Sequence, residues 1–235
     1  MEEHPYLSQF KSYAKWRYLV IGTFPPNRKI RQDSSAFVDY FYGNRGSFWN
    51  VVDAIYPDYR LKKAKKQERV KLIQQWQHDY SIGITDTIGR CTRRSIKSFA
   101  DADLIFNDTD LNFALRNYVL HNLHSLQRLY FTSTEGNNSA YQTFKRLMGT
   151  SFDNIPQEKL VITLPSPSNA VNISLFNKPS ATTMGLDAGV YDYICKERQD
   201  LIPFYKARFA TKQRNKGKQK GQKEEVPKSE KGLLV

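Results

Sequence analysis

Four short apolar runs recur along the 235 residues, at 17–23 (RYLVIGT), 82–86 (IGITD), 128–133 (RLYFTS) and 159–165 (KLVITLP). Each is rich in β-branched or aromatic residues, and the first is stopped by Gly22 and the pair Pro25-Pro26. Such runs predict strands buried on both faces. Between them the apolar positions change to helical spacing. In SFWNVVDAIY (47–56), Phe48, Val51, Val52 and Ile55 share one stripe; in 64–80, Val70, Ile73, Trp76 and Tyr80 share another. Further helices are expected near 110–123, 137–149 and 184–206. Strands alternating with helices predict an α/β fold. Its expected form is a three-layer sandwich, with a short, mostly parallel four-stranded central sheet and helices on both faces.

Two long segments interrupt the alternation and read as loops, Asn27 to Asn44 and Thr87 to Thr109, both rich in Arg, Lys and Ser. A third polar segment, LPSPSNAVN (Leu164 to Asn172), follows the last strand. All three come after strand ends, and open α/β sheets bind ligands beyond the carboxyl ends of their strands. That edge is the expected site. The prolines after the first strand stiffen its floor; their plainer reading is a rigid turn.

Charge narrows the partner. Thirty-six Lys and Arg oppose 23 Asp and Glu, a net +13. The stretch 207–235 holds nine basic and three acidic residues and no helical period, so it reads as a disordered basic tail. Its +6 leaves +7 on residues 1–206, taken as one folded domain. Basic charge interleaved with 14 Tyr, 14 Phe and 3 Trp favours nucleic acid, because bases stack on aromatic faces. No apolar run is long enough to span a membrane, and MEEHPYLSQF lacks the apolar core of a secretory signal. Two cysteines, Cys91 and Cys195, are too few for a disulfide framework or a four-cysteine cluster. No metal site is expected, and none of the histidines at 4, 78, 121 and 124 falls in a motif.

Four segments together, IGTFPP, YGNRGSFWNVVDAIY, GITDTIGRCTRRS and LPSPSNAVN, resemble the uracil-DNA glycosylase superfamily. The likeness is greatest to its mismatch-specific uracil/thymine and hypoxanthine-DNA glycosylase branches, and it runs in order from about residue 17 to 205. The resemblance implies a cofactor-free, monofunctional glycosylase that hydrolyses the N-glycosidic bond of a deaminated base swung out of DNA. It implies base excision repair by a cytoplasmic monomer, nucleoid-associated in a bacterium, with DNA as partner and neither membrane nor metal.

Residue by residue, the resemblance makes Gly22, Thr23, Phe24, Pro25 and Phe48 the base pocket. Many members carry a carboxylate or Asn at the third place of the first loop to hold the attacking water, and some an acid at the second; Phe24 and Thr23 stand there. The catalytic role then falls to Asn44, with the carboxylates Asp39 and Asp86 as alternatives. Leu164 replaces the His of the classical uracil enzymes, leaving backbone N–H groups or Ser166 and Ser168 to polarise the base. Ser166, Ser168 and Asn169 would hold flanking phosphates, Val171 would wedge into the base gap, and Arg90, Arg93 and Arg94 would contact phosphates. Each has a plainer reading: Phe24 and Phe48 as core, the Ser/Asn segment as a self-satisfied turn, the arginines as a solvated loop. Two other classes fit the same pattern. One is a catalytically silent nucleic-acid-binding module on the same fold, which Phe24 favours. The other is an α/β domain with a small-molecule ligand at its strand ends.

Overall fold

The computed structural model describes residues 1–27, 37–43, 48–49, 52–53, 56–98 and 100–161. Seven strands and three longer helices lie among them, in a mixed α/β arrangement. The strands are β1 (Glu2–Glu3), β2 (Tyr18–Gly22), β3 (Ile82–Asp86), β4 (Arg90–Arg93), β5 (Leu104–Ile105), β6 (Arg128–Phe131) and β7 (Leu160–Val161). The helices are α1 (Lys66–Asp79), α2 (Phe113–Asn122) and α3 (Ala140–Met148). Residues 48–49 and 52–53 are also helical. The rest of 159–165, the stretch 184–206, the Ser166–Val171 segment and the tail from 207 lie outside the described residues.

β3, β2, β6 and β7 pair in that order, all parallel, with Val20 opposite both Ile84 and Tyr130. Strand side chains alternate between faces, so one strand serves two cores. Leu19 and Ile21 of β2 join Leu129 and Phe131 against Leu115, Tyr118 and Val119 of α2 and Phe144 and Leu147 of α3. Val20, Ile84 and Tyr130 pack the other way, against Val70, Ile73 and Trp76 of α1 and against Phe41, Trp49 and Val52. Tyr80 leaves the expected stripe: it is the residue that ends α1, and it is exposed.

The segment 87–109 is not the loop its composition predicts. It carries β4 and β5, an antiparallel pair to which β1 adds as the third strand, Glu2 opposite Cys91. The N-terminus is thereby drawn across the molecule, and His4 N–H donates to the Gly89 carbonyl at 2.8 Å. At the end of β3, Asn112 accepts from Leu115 N–H as the cap of α2, and its amide donates to the Asp86 carbonyl at 2.8 Å. This ties the carboxyl end of β3 to the helix that follows.

Candidate functional site

The order β3-β2-β6-β7 fixes where a site can form. The chain leaves β2 to one side for β3 and returns to the other side for β6, so the crevice between the carboxyl ends of β2 and β6 is the switch point of the sheet. Asp101 spans that crevice. Thr23, just past β2, donates its hydroxyl to Asp101 Oδ1 at 2.6 Å, and Ser133, just past β6, donates to Oδ2 at 3.0 Å. Ser133 Oγ also accepts from Ala140 N–H at 2.9 Å, which anchors the hydroxyl to the start of α3. Asn138 holds the Asp101 carbonyl at 3.1 Å. Burial pushes the Asp101 carboxyl above the usual carboxylate range, against the two hydroxyl donors, and the neighbouring Asp86 charge adds to the rise.

Asp86, at the end of β3, faces the same ground. Its Oδ2 lies 2.7 Å from His4 Nε2, and both side chains are almost wholly enclosed. His4 Nδ1 accepts from Tyr6 N–H at 3.1 Å, so the ring proton sits on Nε2 and is donated to the carboxylate. The imidazole is a neutral donor with both nitrogens committed. It can orient Asp86 but has no lone pair left to take a proton. The His4 ring packs edge-on against Phe24 at 5.1 Å and tilted against Phe41 at 5.6 Å.

Asp86 Oδ1 points across β2 at Gly22. A Cβ on Gly22 would lie 2.2 Å from that oxygen and 2.7 Å from the Tyr42 hydroxyl, so glycine is required here for close approach. Tyr42 takes a left-handed backbone (φ 54°) to reach this point, and its enclosed hydroxyl lies by Thr132 and Asp86. Burial and the Asp86 charge raise the Tyr42 hydroxyl well above the ordinary phenol range. Its ring lies 5.0 Å from that of Phe48.

Of the residues singled out from sequence, Gly22, Thr23, Phe24, Pro25 and Asp86 are brought together, and Phe48 reaches them through Tyr42. Phe24 is buried in the core shared with α2 and α3. The Pro25 carbonyl accepts from the Arg93 guanidinium, which also lies over the Phe24 ring and pairs with Glu2 at 3.1 Å. Arg93 is thus an enclosed tie between β1, β4 and the first loop, where the composition of 87–109 suggests a surface cation. Arg90 pairs with Asp110, and Arg94 is exposed. Asp39 is exposed and accepts from the Tyr6 hydroxyl at 3.1 Å, with no contact to Asp86 or Asp101. Asn44, Ser166, Ser168, Asn169 and Val171 lie outside the described residues.

Sequence reasoning misses His4, Tyr42, Asp101 and Ser133. Each acts on a residue far along the chain, 82 positions away for His4 and 78 for Asp101, and none has a local signature. The cavities found elsewhere are unrelated to this cluster. One of about 390 Å³ lies at the opposite, amino edge of the sheet, between Tyr18, Arg128 and Lys159. Among the described residues no group of three or more His, Cys, Asp or Glu is placed to hold a metal ion, and no helix is long and apolar enough to cross a membrane. No family model, curated protein or solved structure matches the chain.

Proposed function

We propose that this protein is a monofunctional DNA glycosylase. In this reading it hydrolyses the N-glycosidic bond of a deaminated base, uracil or hypoxanthine, flipped out of DNA, as a cytoplasmic monomer in base excision repair. The observation that carries the reading is the Asp86 carboxylate, fixed by a neutral histidine on one oxygen and directed over Gly22 with the other. Glycosidic cleavage builds positive charge on the sugar and needs a held water on its far face. A fixed carboxylate at the strand-end crevice can serve both needs. Asp86 therefore takes the role that Phe24 cannot, ahead of Asp39, whose contacts lie elsewhere; Asn44 is a second candidate from the segment that holds Phe48. Parallel strands with helices packed on both faces suit the expected three-layer sandwich. Gly22 to Pro25 would floor the base pocket, with Tyr42 and Phe48 as its aromatic wall. Ser166, Ser168, Asn169, Val171, Arg90 and Arg94 would grip the DNA, and Arg93 would brace the floor from within.

The test is alkali-revealed strand nicking on duplexes that carry a single uracil, hypoxanthine or mismatched thymine. Asp86→Asn and Asn44→Ala are run beside the wild type. Nicking at one base, lost in Asp86→Asn, is the expected result. Nicking that survives in Asp86→Asn but not in Asn44→Ala moves the water-holding role to Asn44. No nicking on any duplex, with salt-sensitive DNA binding kept, refutes the enzyme and leaves the silent binding module.

A further inference from the structure

An aspartate at a strand end turns freely about its side-chain torsions unless something holds it. For Asp86 the holder comes from outside the four-stranded sheet. β1 pairs with β4, Glu2 opposite Cys91 and Glu3 opposite Arg90, and the next residue, His4, donates its N–H to the Gly89 carbonyl at 2.8 Å. Glu2 accepts from Arg93 at 3.1 Å, and Arg93 also holds the Pro25 carbonyl. The His4 ring is wedged among three others, with centroids 5.1 Å from Phe24, 5.6 Å from Phe41 and 6.1 Å from Tyr6. Its Nδ1 accepts from Tyr6 N–H at 3.1 Å. Backbone, ring and one nitrogen of His4 are thus fixed without Asp86, so of the two it is the imidazole that places the carboxylate.

Resting on the glycosylase reading, we propose that His4 is a positioning residue for base excision, carried into the site by β1. Its Nε2–H holds Asp86 Oδ2 at 2.7 Å, so that Oδ1 stays directed over Gly22. It acts through Asp86 alone, because both its nitrogens are committed and its side chain is almost wholly enclosed. The neighbouring groups do not duplicate it. The Tyr42 hydroxyl is engaged by Thr132, and Asn112 holds the Asp86 carbonyl rather than its side chain.

The residue type follows from the chemistry. Cleavage leaves positive charge on the sugar, which a carboxylate stabilises only while its own charge is unpaired. A lysine or arginine at this place would hold Asp86 and cancel that charge. A neutral imidazole supplies the hydrogen bond and leaves the charge for the sugar. The small sheet of β1, β4 and β5 is then the clamp that completes the site on the larger one.

The experiment measures single-turnover excision and DNA binding separately for His4→Ala, His4→Phe and His4→Gln, on whichever single-base duplex the wild type nicks. Urea unfolding checks that each variant is folded at the assay temperature. Phe keeps the ring and loses both nitrogens; Gln brings an amide N–H to the place of Nε2–H. Misplacing a reacting group by about 1 Å costs about 100-fold, so His4→Ala and His4→Phe should lose about that much excision, with binding within about twofold. His4→Gln should stay within about tenfold of wild type. The hole in His4→Ala, walled by Tyr6, Phe24 and Phe41, admits a small ring. Free imidazole should therefore restore excision there, and N-methylimidazole, which has no N–H to donate, should not.

Excision by folded His4→Phe within about threefold of wild type overturns the proposal, as does equal rescue by the two imidazoles. Binding lost in step with excision also overturns it, because that marks a merely structural histidine. Where His4→Ala and His4→Phe do not fold, His4→Gln decides: excision within about tenfold of wild type supports the proposal, and a loss of about 100-fold overturns it. All these adverse outcomes leave the glycosylase reading standing. Release of no base by the wild type removes both.

Discussion

Gly22→Ala tests the geometry on which the site depends. The new Cβ would stand 2.2 Å from Asp86 Oδ1, where ordinary contact begins at 3.4 Å, so the carboxylate must retreat by about 1.2 Å. It has little room to do so. Its other oxygen is held by His4 at 2.7 Å, and its carbonyl is held by Asn112 at 2.8 Å. A retreat of that size stretches the His4 bond beyond hydrogen-bonding distance. Overpacking costs about 1–3 kcal/mol, and loss of a hydrogen bond to a charged, enclosed group a further 1.5–3 kcal/mol, so about 3–5 kcal/mol is expected. For a chain of this size that lowers Tm by roughly 10 °C or more. Urea unfolding followed by tryptophan fluorescence measures it, and a double-mutant cycle assigns it. In an Asp86→Ala background the obstacle is gone, leaving only the Tyr42 hydroxyl, and Gly22→Ala should then cost about 1 kcal/mol. Wild-type stability of Gly22→Ala, or the same cost in both backgrounds, would refute the packing argument.

Three further outcomes follow from the same contacts. Arg93→Ala removes the tie between Glu2, Pro25 and Phe24 and should destabilise by about 3 kcal/mol in urea titrations; trimming residues 1–4 should cost at least as much, because it also frees Asp86. For Asp101 the folded carboxyl is raised, so its stabilising contribution is complete below the unfolded carboxylate range and is lost as pH rises through the folded value. Urea midpoints between pH 4 and 8 should therefore fall more steeply with rising pH in wild type than in Asp101→Asn, and parallel curves would contradict this. Tyr42→Phe deletes an enclosed hydroxyl that bonds Thr132; it should cost about 1 kcal/mol in urea titrations while base excision falls, and a gain in stability would contradict this.

How much of this was legible in the sequence depends on how far apart the interacting residues lie. β2, β3 and β6 are written in continuous apolar runs because both faces of each strand are covered, and α1 and α3 follow from stripes at helical spacing. β4 and β5 are not legible. Arg-Cys-Thr-Arg and Leu-Ile are too short and too charged to carry a period, and they become strands only because Glu2–Glu3 and each other complete the pairing. The same long-range pairing explains Arg93. Read locally, it is one cation in a basic segment; β1 places a glutamate beside it and the first loop places a carbonyl, so its charge is turned inward.

The candidate site divides along the same line. The floor, Gly22 to Pro25, is legible because glycine and proline announce a constrained backbone wherever they stand. The chemistry on that floor is not, since a carboxylate's role is set by what touches it. Asp39, Asp86 and Asp101 are alike as letters, yet one meets a tyrosine hydroxyl near the surface, one a neutral histidine, and one two hydroxyls in a partly buried crevice. On the proposed reading, the carboxylate that the first loop lacks is supplied across space. Asp86 stands at the end of β3, held by His4 and directed over Gly22, so a carboxylate reaches the loop although the loop itself carries none. A sheet whose strand ends converge allows this, because any segment that reaches them can deliver the group. Such a group need not sit in the loop motif at all, and a comparison of sequences position by position would pass over it.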